Sequence, residues 1–210
     1  MPSRGGREAL VEAVLAELAE KGPANIYPND ISTGLGLSKS LVNFHFGDRD
    51  GLVAEAMAVG YERYVDCLMV AAEAAGTDPV ARLLAWIDRQ FEWTIENVGL
   101  AAALNFPYEA AALDGVGNPA IAERLAATGR RNLINLSGLV HAALRHFHGE
   151  DSTIDQLRLY FDVGVIGWMT LGMSVFTAGR HLPTRDLAER RYTEQAKQHL
   201  HNTVVEMLKR

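Results

Sequence analysis

A single cysteine, Cys67, is all that this chain of 210 residues contains. No internal disulfide can form, and a reducing compartment suits such a protein. Cys67 falls in a largely apolar part of the fourth helix, with no cluster of basic residues around it, which is the setting of an inert thiol rather than a redox sensor. Positive charge is not in excess either: 20 Lys and Arg face 26 Asp and Glu, for a formal net charge of −6. That balance argues against indiscriminate coating of nucleic acid but leaves room for a local basic patch. Long uncharged runs are scarce, and only Val163 to Gly179 lacks charge over a helix-like length. It stands at the short limit for a membrane span, with glycines at 164, 167 and 172 and no basic flank immediately before it. The expectation is a buried helix of a soluble protein, with no membrane partner. The N-terminus lacks the apolar core of a secretion signal, so a cytoplasmic location is expected.

Catalytic signatures are missing as well. There is no Cys-x-x-Cys, His-Glu-x-x-His, phosphate loop, Gly-x-Gly-x-x-Gly or nucleophile elbow. Seven histidines are present, but His141, His146 and His148 do not share a helical face, and neither do His199 and His201. No enzyme, cofactor or metal site is expected.

Strand patterns are also absent. Apolar residues, 48% of the chain, recur at spacings of three and four almost throughout, which predicts an all-α protein of about nine helices. Leu10, Val11, Val14, Leu15 and Leu18 form one face of the first helix, opposite Glu8, Glu12, Glu17 and Glu20, and Gly22-Pro23 ends it. Asp48 is placed to cap a long fourth helix reaching about Ala75, roughly 40 Å at 1.5 Å per residue. Gly76-Thr77-Asp78-Pro79 breaks the chain and restarts it, with Asp78 as cap and Pro79 in the first turn. Gly99 is expected to divide the next helix from the stretch Leu100 to Leu104. Asn105-Phe106-Pro107-Tyr108 forces a bend. Asn118-Pro119 opens a helix to about His148, and Ser152 or Thr153 opens the glycine-containing apolar helix, which stops near Gly179. Leu182-Pro183-Thr184 turns the chain into a last helix striped by Leu187, Tyr192, Ala196, Leu200, Val204 and Leu208.

The most informative stretch runs from Asp30 to Phe46. It reads as two short helices joined by the turn Gly36-Leu37-Ser38, the arrangement that lays a second helix in the DNA major groove. Gly36 can take the positive φ of a sharp reversal, and Ser38 can cap the helix that follows. Asp30-Ile31, Gly36-Leu37-Ser38, His45-Phe46 and Arg49-Asp50-Gly51-Leu52 stand in the order and spacing of the DNA-binding domain of the tetracycline-repressor (TetR) family, which the segment from about Arg7 to Leu52 resembles. Three positions depart from the family pattern. Tyr27-Pro28 stands where a Thr usually caps the second helix, Asn43 replaces a Tyr, and Gly34 falls inside the second helix.

The resemblance implies a head at 1–50 that binds DNA and a body at 51–210 that senses a ligand and dimerises. Base reading is expected from Lys39, Ser40 and Asn43, because Lys suits guanine and Asn suits adenine. Backbone anchoring is expected from Tyr27, Ser38, His45 and Arg49. Arg4 and Arg7 are expected near the same surface, and Phe44 and Phe46 are expected to plug the core of the head. For the body, the resemblance implies a pocket for a small, largely apolar effector. Its expected lining is Tyr64, Trp86, Phe91, Trp93, Phe106, Tyr108, Trp168, Met169, Met173 and Phe176, with Asn105, Glu109 and Asn135 as polar groups able to orient a ligand. The last two helices are expected to pair with a second copy in a four-helix bundle. The function so implied is a homodimeric repressor on a palindromic double-stranded operator, released when the effector moves the heads through the fourth helices. The departures at Tyr27-Pro28 and Asn43 leave an alternative open, a helical adaptor or ligand-binding protein with a degenerate head.

Overall fold

The computed structural model describes residues 4–22, 25–38, 40–105, 118–178 and 187–210. Among these, every regular element is a helix: α1 (Arg4–Lys21), α2 (Pro28–Gly34), α3 (Ser40–Phe46), α4 (Arg49–Ala74), α5 (Pro79–Glu96), α6 (Val98–Asn105), α7 (Pro119–His148), α8 (Gln156–Ala178) and α9 (Leu187–Lys209). Among the described residues the architecture is thus all-α with nine helices, as expected. The helices form two compact units, one of residues 1–63 with 96–128 and the other of residues 64–95 with 129–210. The functional division expected at residue 50 falls inside the first unit. Pro23, Pro107, Tyr108 and Thr184 lie outside the described residues.

In the first unit, α1 buries Leu10, Val11, Val14 and Leu18, the face its spacing predicts. Gly22 ends it at φ +69°, and its N–H donates to the Leu18 carbonyl at 3.2 Å. Gly99 does not separate two helices as expected; it sits in the first turn of α6. A Cβ there would lie 2.3 Å from the Leu18 carbonyl oxygen, so the glycine is needed for α6 to press against the end of α1. Gly60 of α4 plays a similar part, its missing Cβ leaving room for Leu15 and Leu100.

An ion-pair network crosses the same unit. Arg124 of α7 donates from Nη1 to both carboxylate oxygens of Glu55 at 3.0 Å and from Nε and Nη2 to Glu62 at 3.0 Å. Arg7 of α1 reaches Glu55 at 3.0 Å. The Glu55 side chain is only 9% exposed. Burial pushes its carboxyl up, but the hydrogen bonds from Arg124 and Arg7 outweigh that and hold it below the ordinary carboxylate range.

In both units, local signals place helix starts. Asp78 Oδ1 accepts from Val80 N–H at 3.0 Å, ahead of Pro79. α7 starts the same way: Asn118 Oδ1, ahead of Pro119, accepts from Ala120 N–H at 3.1 Å. For α8 the expected cap is corrected. Ser152 spends its hydroxyl on the Gly149 carbonyl, and Asp155 caps instead, accepting from Leu157 and Arg158 N–H. α9 buries Ala196, Leu200, Val204 and Leu208, four members of its expected stripe. Cys67 is half-buried, its thiol donating to the Tyr64 carbonyl at 3.1 Å.

Candidate functional site

The turn between α2 and α3 is built almost wholly from backbone. Gly36 adopts φ +65°. Its N–H donates to the Thr33 carbonyl at 3.0 Å, and the Leu37 N–H donates to the Ser32 carbonyl at 2.8 Å. This pair of bonds closes a helix end on a left-handed glycine. Gly34 is the last residue of α2 rather than an interior one, so the helix bears less of glycine's usual cost. Ser38 then starts α3, its Oγ accepting from Ser40 N–H at 3.3 Å and lying 2.8 Å from Ser40 Oγ. Val42 is buried and holds α3 to the unit, while Ser40 and Asn43 face outward.

A groove of about 640 Å³ opens on this surface, lined by Ile26, Tyr27, Pro28, Asn29, Asp30, Ser40, Val42, Asn43 and Arg49. It gathers four of the seven side chains expected to meet DNA. Tyr27 occupies the cap position before Pro28 at φ −119° with no capping bond of its own, and its ring is exposed. The phenol is thus free to stand in for the missing Thr. Lys39, the expected guanine reader, lies outside the described residues.

Arg49 sits at the start of α4, where Asp48 Oδ1 accepts from Gly51 N–H at 2.8 Å. Its Nε donates to the Ile26 carbonyl at 2.8 Å, and its Nη1 pairs with Asp50. These bonds tie α4 to the segment before α2, so Arg49 shapes the groove as well as charging it. Gly51 is required there, since a Cβ would stand 2.1 Å from the Phe46 carbonyl oxygen.

Burial revises the expectation for Phe44 and adds contacts for His45 and Arg7. Phe44 is no plug: it is 69% exposed, the apolar group on α3 that sequence reasoning misplaced. His45 is half-buried, with Nε2 enclosed and without a partner among the described residues, packed edge-on against Phe44 at 4.9 Å. Arg7 is engaged with Glu55 and lies over the Phe46 ring at 5.3 Å, so it braces the head.

In the second unit, Tyr64, Trp86, Phe91 and Trp93 of the expected effector set are buried, with the Tyr64 and Trp93 rings 4.3 Å apart. Trp168 and Phe176 are not with them. They stand on the outward face of α8, along with Leu157, Tyr160, Phe161 and Val165, all exposed. Met169 and Met173 are half-buried. α8 is the one described helix long and apolar enough to cross a membrane by length and composition, but it buries Val163, Ile166, Thr170, Leu171 and Ser174 in protein. Asn135 is half-buried. The side chain of Asn105 and all of Phe106, Tyr108 and Glu109 fall outside the described residues.

No family model matches the chain. Among curated proteins, it is 29% identical over 150 residues to the HTH-type transcriptional regulator BetI of Stenotrophomonas maltophilia, covering 70% of this chain and 74% of that one. Among solved structures, a TetR-family transcriptional regulator from Streptomyces coelicolor superposes with a TM-score of 0.65 at 19% identity, covering 99% of this chain and 82% of that one. The fatty acid degradation regulator FadR from Bacillus halodurans gives 0.67 at 12% identity, covering 98% and 97%. At such identities the structures speak for the fold. In fold the chain is similar to TetR-family transcriptional regulators, and in sequence it is similar to a curated helix-turn-helix transcriptional regulator.

Proposed function

We propose that this regulator is a homodimeric repressor working in the cytoplasm, bound to a palindromic operator and released from it by a small, largely apolar effector. The observation that carries the DNA half is the groove joining Tyr27, Ser40, Asn43 and Arg49, beside an α3 whose outward face also carries Phe44. Asn43 has the paired donor and acceptor that match adenine, Phe44 is suited to a thymine methyl, and Lys39 is suited to guanine. Tyr27, Ser38 and Arg49 then hold phosphates, which set register rather than sequence. The head is assigned to 1–50 and the sensing and dimerising body to 51–210.

The dimer reading rests on α8. Its inner face is buried, yet Leu157, Tyr160, Phe161, Val165, Trp168 and Phe176 leave a continuous apolar face open. A monomer seldom exposes such a patch. Gly164 and Gly172 have nothing within 4 Å of a Cβ position, so a second copy of the helix can approach closely. A two-fold dimer also presents two α3 helices to half-sites about 34–36 Å apart, one turn of duplex.

The effector reading rests on the buried aromatic residues of the second unit and on the FadR likeness, a protein described as a regulator of fatty acid degradation. An effector must bind the released form better than the operator-bound form, with coupling on the order of 1–3 kcal/mol. Selection of bound sites from random duplex DNA tests the whole reading. The expected result is a palindrome bound by two copies. A monomeric protein that enriches no sequence would instead favour an adaptor with a degenerate head.

A further inference from the structure

Two polar groups inside the second unit have no hydrogen-bond partner among the described residues. On α5, Trp86 is 1% exposed and Gln90 5% exposed. The indole Nε1 and the amide Oε1 are enclosed without a hydrogen-bond partner among the described residues. A buried donor and a buried acceptor left unpaired are costly, and native interiors almost always satisfy them with protein, water or ligand. The two residues are four apart, so they lie one above the other on the same side of the helix. Arg82, four residues earlier on the same line, has its Nε enclosed and unpartnered as well. One stripe of α5 thus offers a donor, a second donor and an acceptor in order. Leu83, Ile87, Phe91 and Trp93 make up most of the rest of that helix's buried surface, and Trp93 is covered by the Tyr64 ring.

We propose that this stripe is the polar recognition element of the effector site, and that the effector carries a carboxamide or lactam on an otherwise apolar body. The proposal rests on the effector-regulated reading above. The amide oxygen accepts from the Trp86 indole N–H, with the Arg82 Nε–H as a second donor, and the amide N–H donates to Gln90 Oε1. A carboxylate would satisfy both donors but set an acceptor against Gln90 Oε1. A hydroxyl would have to serve both sides from one oxygen. An amide keeps acceptor and donor on separate atoms, which suits groups one turn, roughly 6 Å, apart along a helix.

Four probes of one shape test this in the full-length protein: 4-phenylbutanamide, its N,N-dimethyl derivative, 4-phenylbutan-1-ol and butylbenzene. Binding is read by tryptophan fluorescence, and release by displacement of operator DNA from the selection. The primary amide is expected to bind at least tenfold tighter than the dimethyl amide. Gln90→Leu is expected to abolish that preference, and Trp86→Phe to lower both amides toward butylbenzene. Thermal unfolding checks that the variants fold, and Arg82→Met supplies a further variant, expected to weaken both amides if either buried change does not fold. Equal binding of amide, alcohol and hydrocarbon, the outcome for a stripe filled by ordered water, would overturn the amide assignment. So would failure of all four to bind. Butylbenzene releasing the operator as well as the amide leaves the effector-regulated reading standing, whereas an operator complex indifferent to a broad compound screen removes that reading itself.

Discussion

Phe44 is the residue at which burial changes the argument most. α3 turns Val42 inward and leaves Phe44 69% exposed, on a face that otherwise offers Ser40 and Asn43. An aromatic ring held in water is unfavourable unless something covers it, and the groove floor of a duplex can. Phe44→Ala is expected to weaken operator binding without lowering the melting temperature, because no core is emptied; a fall in melting temperature would return Phe44 to the interior. Asn43→Ala is expected to cost about 1–3 kcal/mol and to relax the preference for adenine at one position of the site, which repeated site selection on the variant would read. Lys39→Ala is expected to cost a similar amount, about 1–3 kcal/mol, with the dimer intact; unchanged affinity removes Lys39 from the groove. Asn43 and Ser40 both line the surface groove, and their positions follow from the turn at Gly36. It could not tell whether Phe44 or Val42 faces inward, because on a seven-residue helix both choices satisfy local spacing.

At the scale of elements, charge pairing joins helices far apart in sequence. Arg124 reaches back more than sixty residues to Glu55 and Glu62, and Arg7 closes the network from α1. In the second unit Lys197 of α9 meets Glu92 of α5 at 2.8 Å, and His201 meets Asp88 at 2.8 Å. The Glu55 carboxyl is held below its ordinary range by Arg124 and Arg7 against the upward push of burial. Its contribution to stability is therefore fully present above the ordinary carboxylate pKa of about 4.5 and fades as pH falls through the lower folded value. Glu55→Gln is expected to lower the melting temperature at neutral pH, and the difference from the parent is expected to shrink in acid. A gap of equal size at both pH values would mean that the charge contributes little. None of these pairs is visible in the sequence, where Arg124 is one basic residue on an amphipathic helix. Helix starts were more legible: Asp48, Asp78-Pro79 and Asn118-Pro119 all act as caps in the structure. Among the described residues, α8 starts later than expected, since Ser152 bonds within its own turn.

At the scale of the whole molecule, the proposed dimer turns on the open face of α8. Trp168→Glu puts a charge where the proposed partner helix would pack, and burying an unpaired charge is prohibitive. The expected outcome is a monomer in sedimentation whose operator affinity falls by orders of magnitude, because each head alone keeps only half of the contacts. A Trp168→Glu protein that remains dimeric would move the interface elsewhere. Binding is also expected to weaken with salt, with a slope near 0.9 per neutralised phosphate. Since Arg7 is committed to Glu55 and Phe46, that slope is expected to be small for a basic DNA reader.

Signals that act within a few residues were decided by the amino-acid order alone. The helical period, the glycine turn, the proline and aspartate starts and the head motifs all work through backbone torsions and bonds to near neighbours. Which aromatics are enclosed, where Arg7 and Arg124 find carboxylates, and which face of α8 stays bare depend on residues distant in the chain. Trp168 sits on the more apolar of the two helices, yet it is the one left open while Trp86 is enclosed. Only packing separates them, because burial is a property of what arrives from elsewhere and not of the helix that carries the side chain.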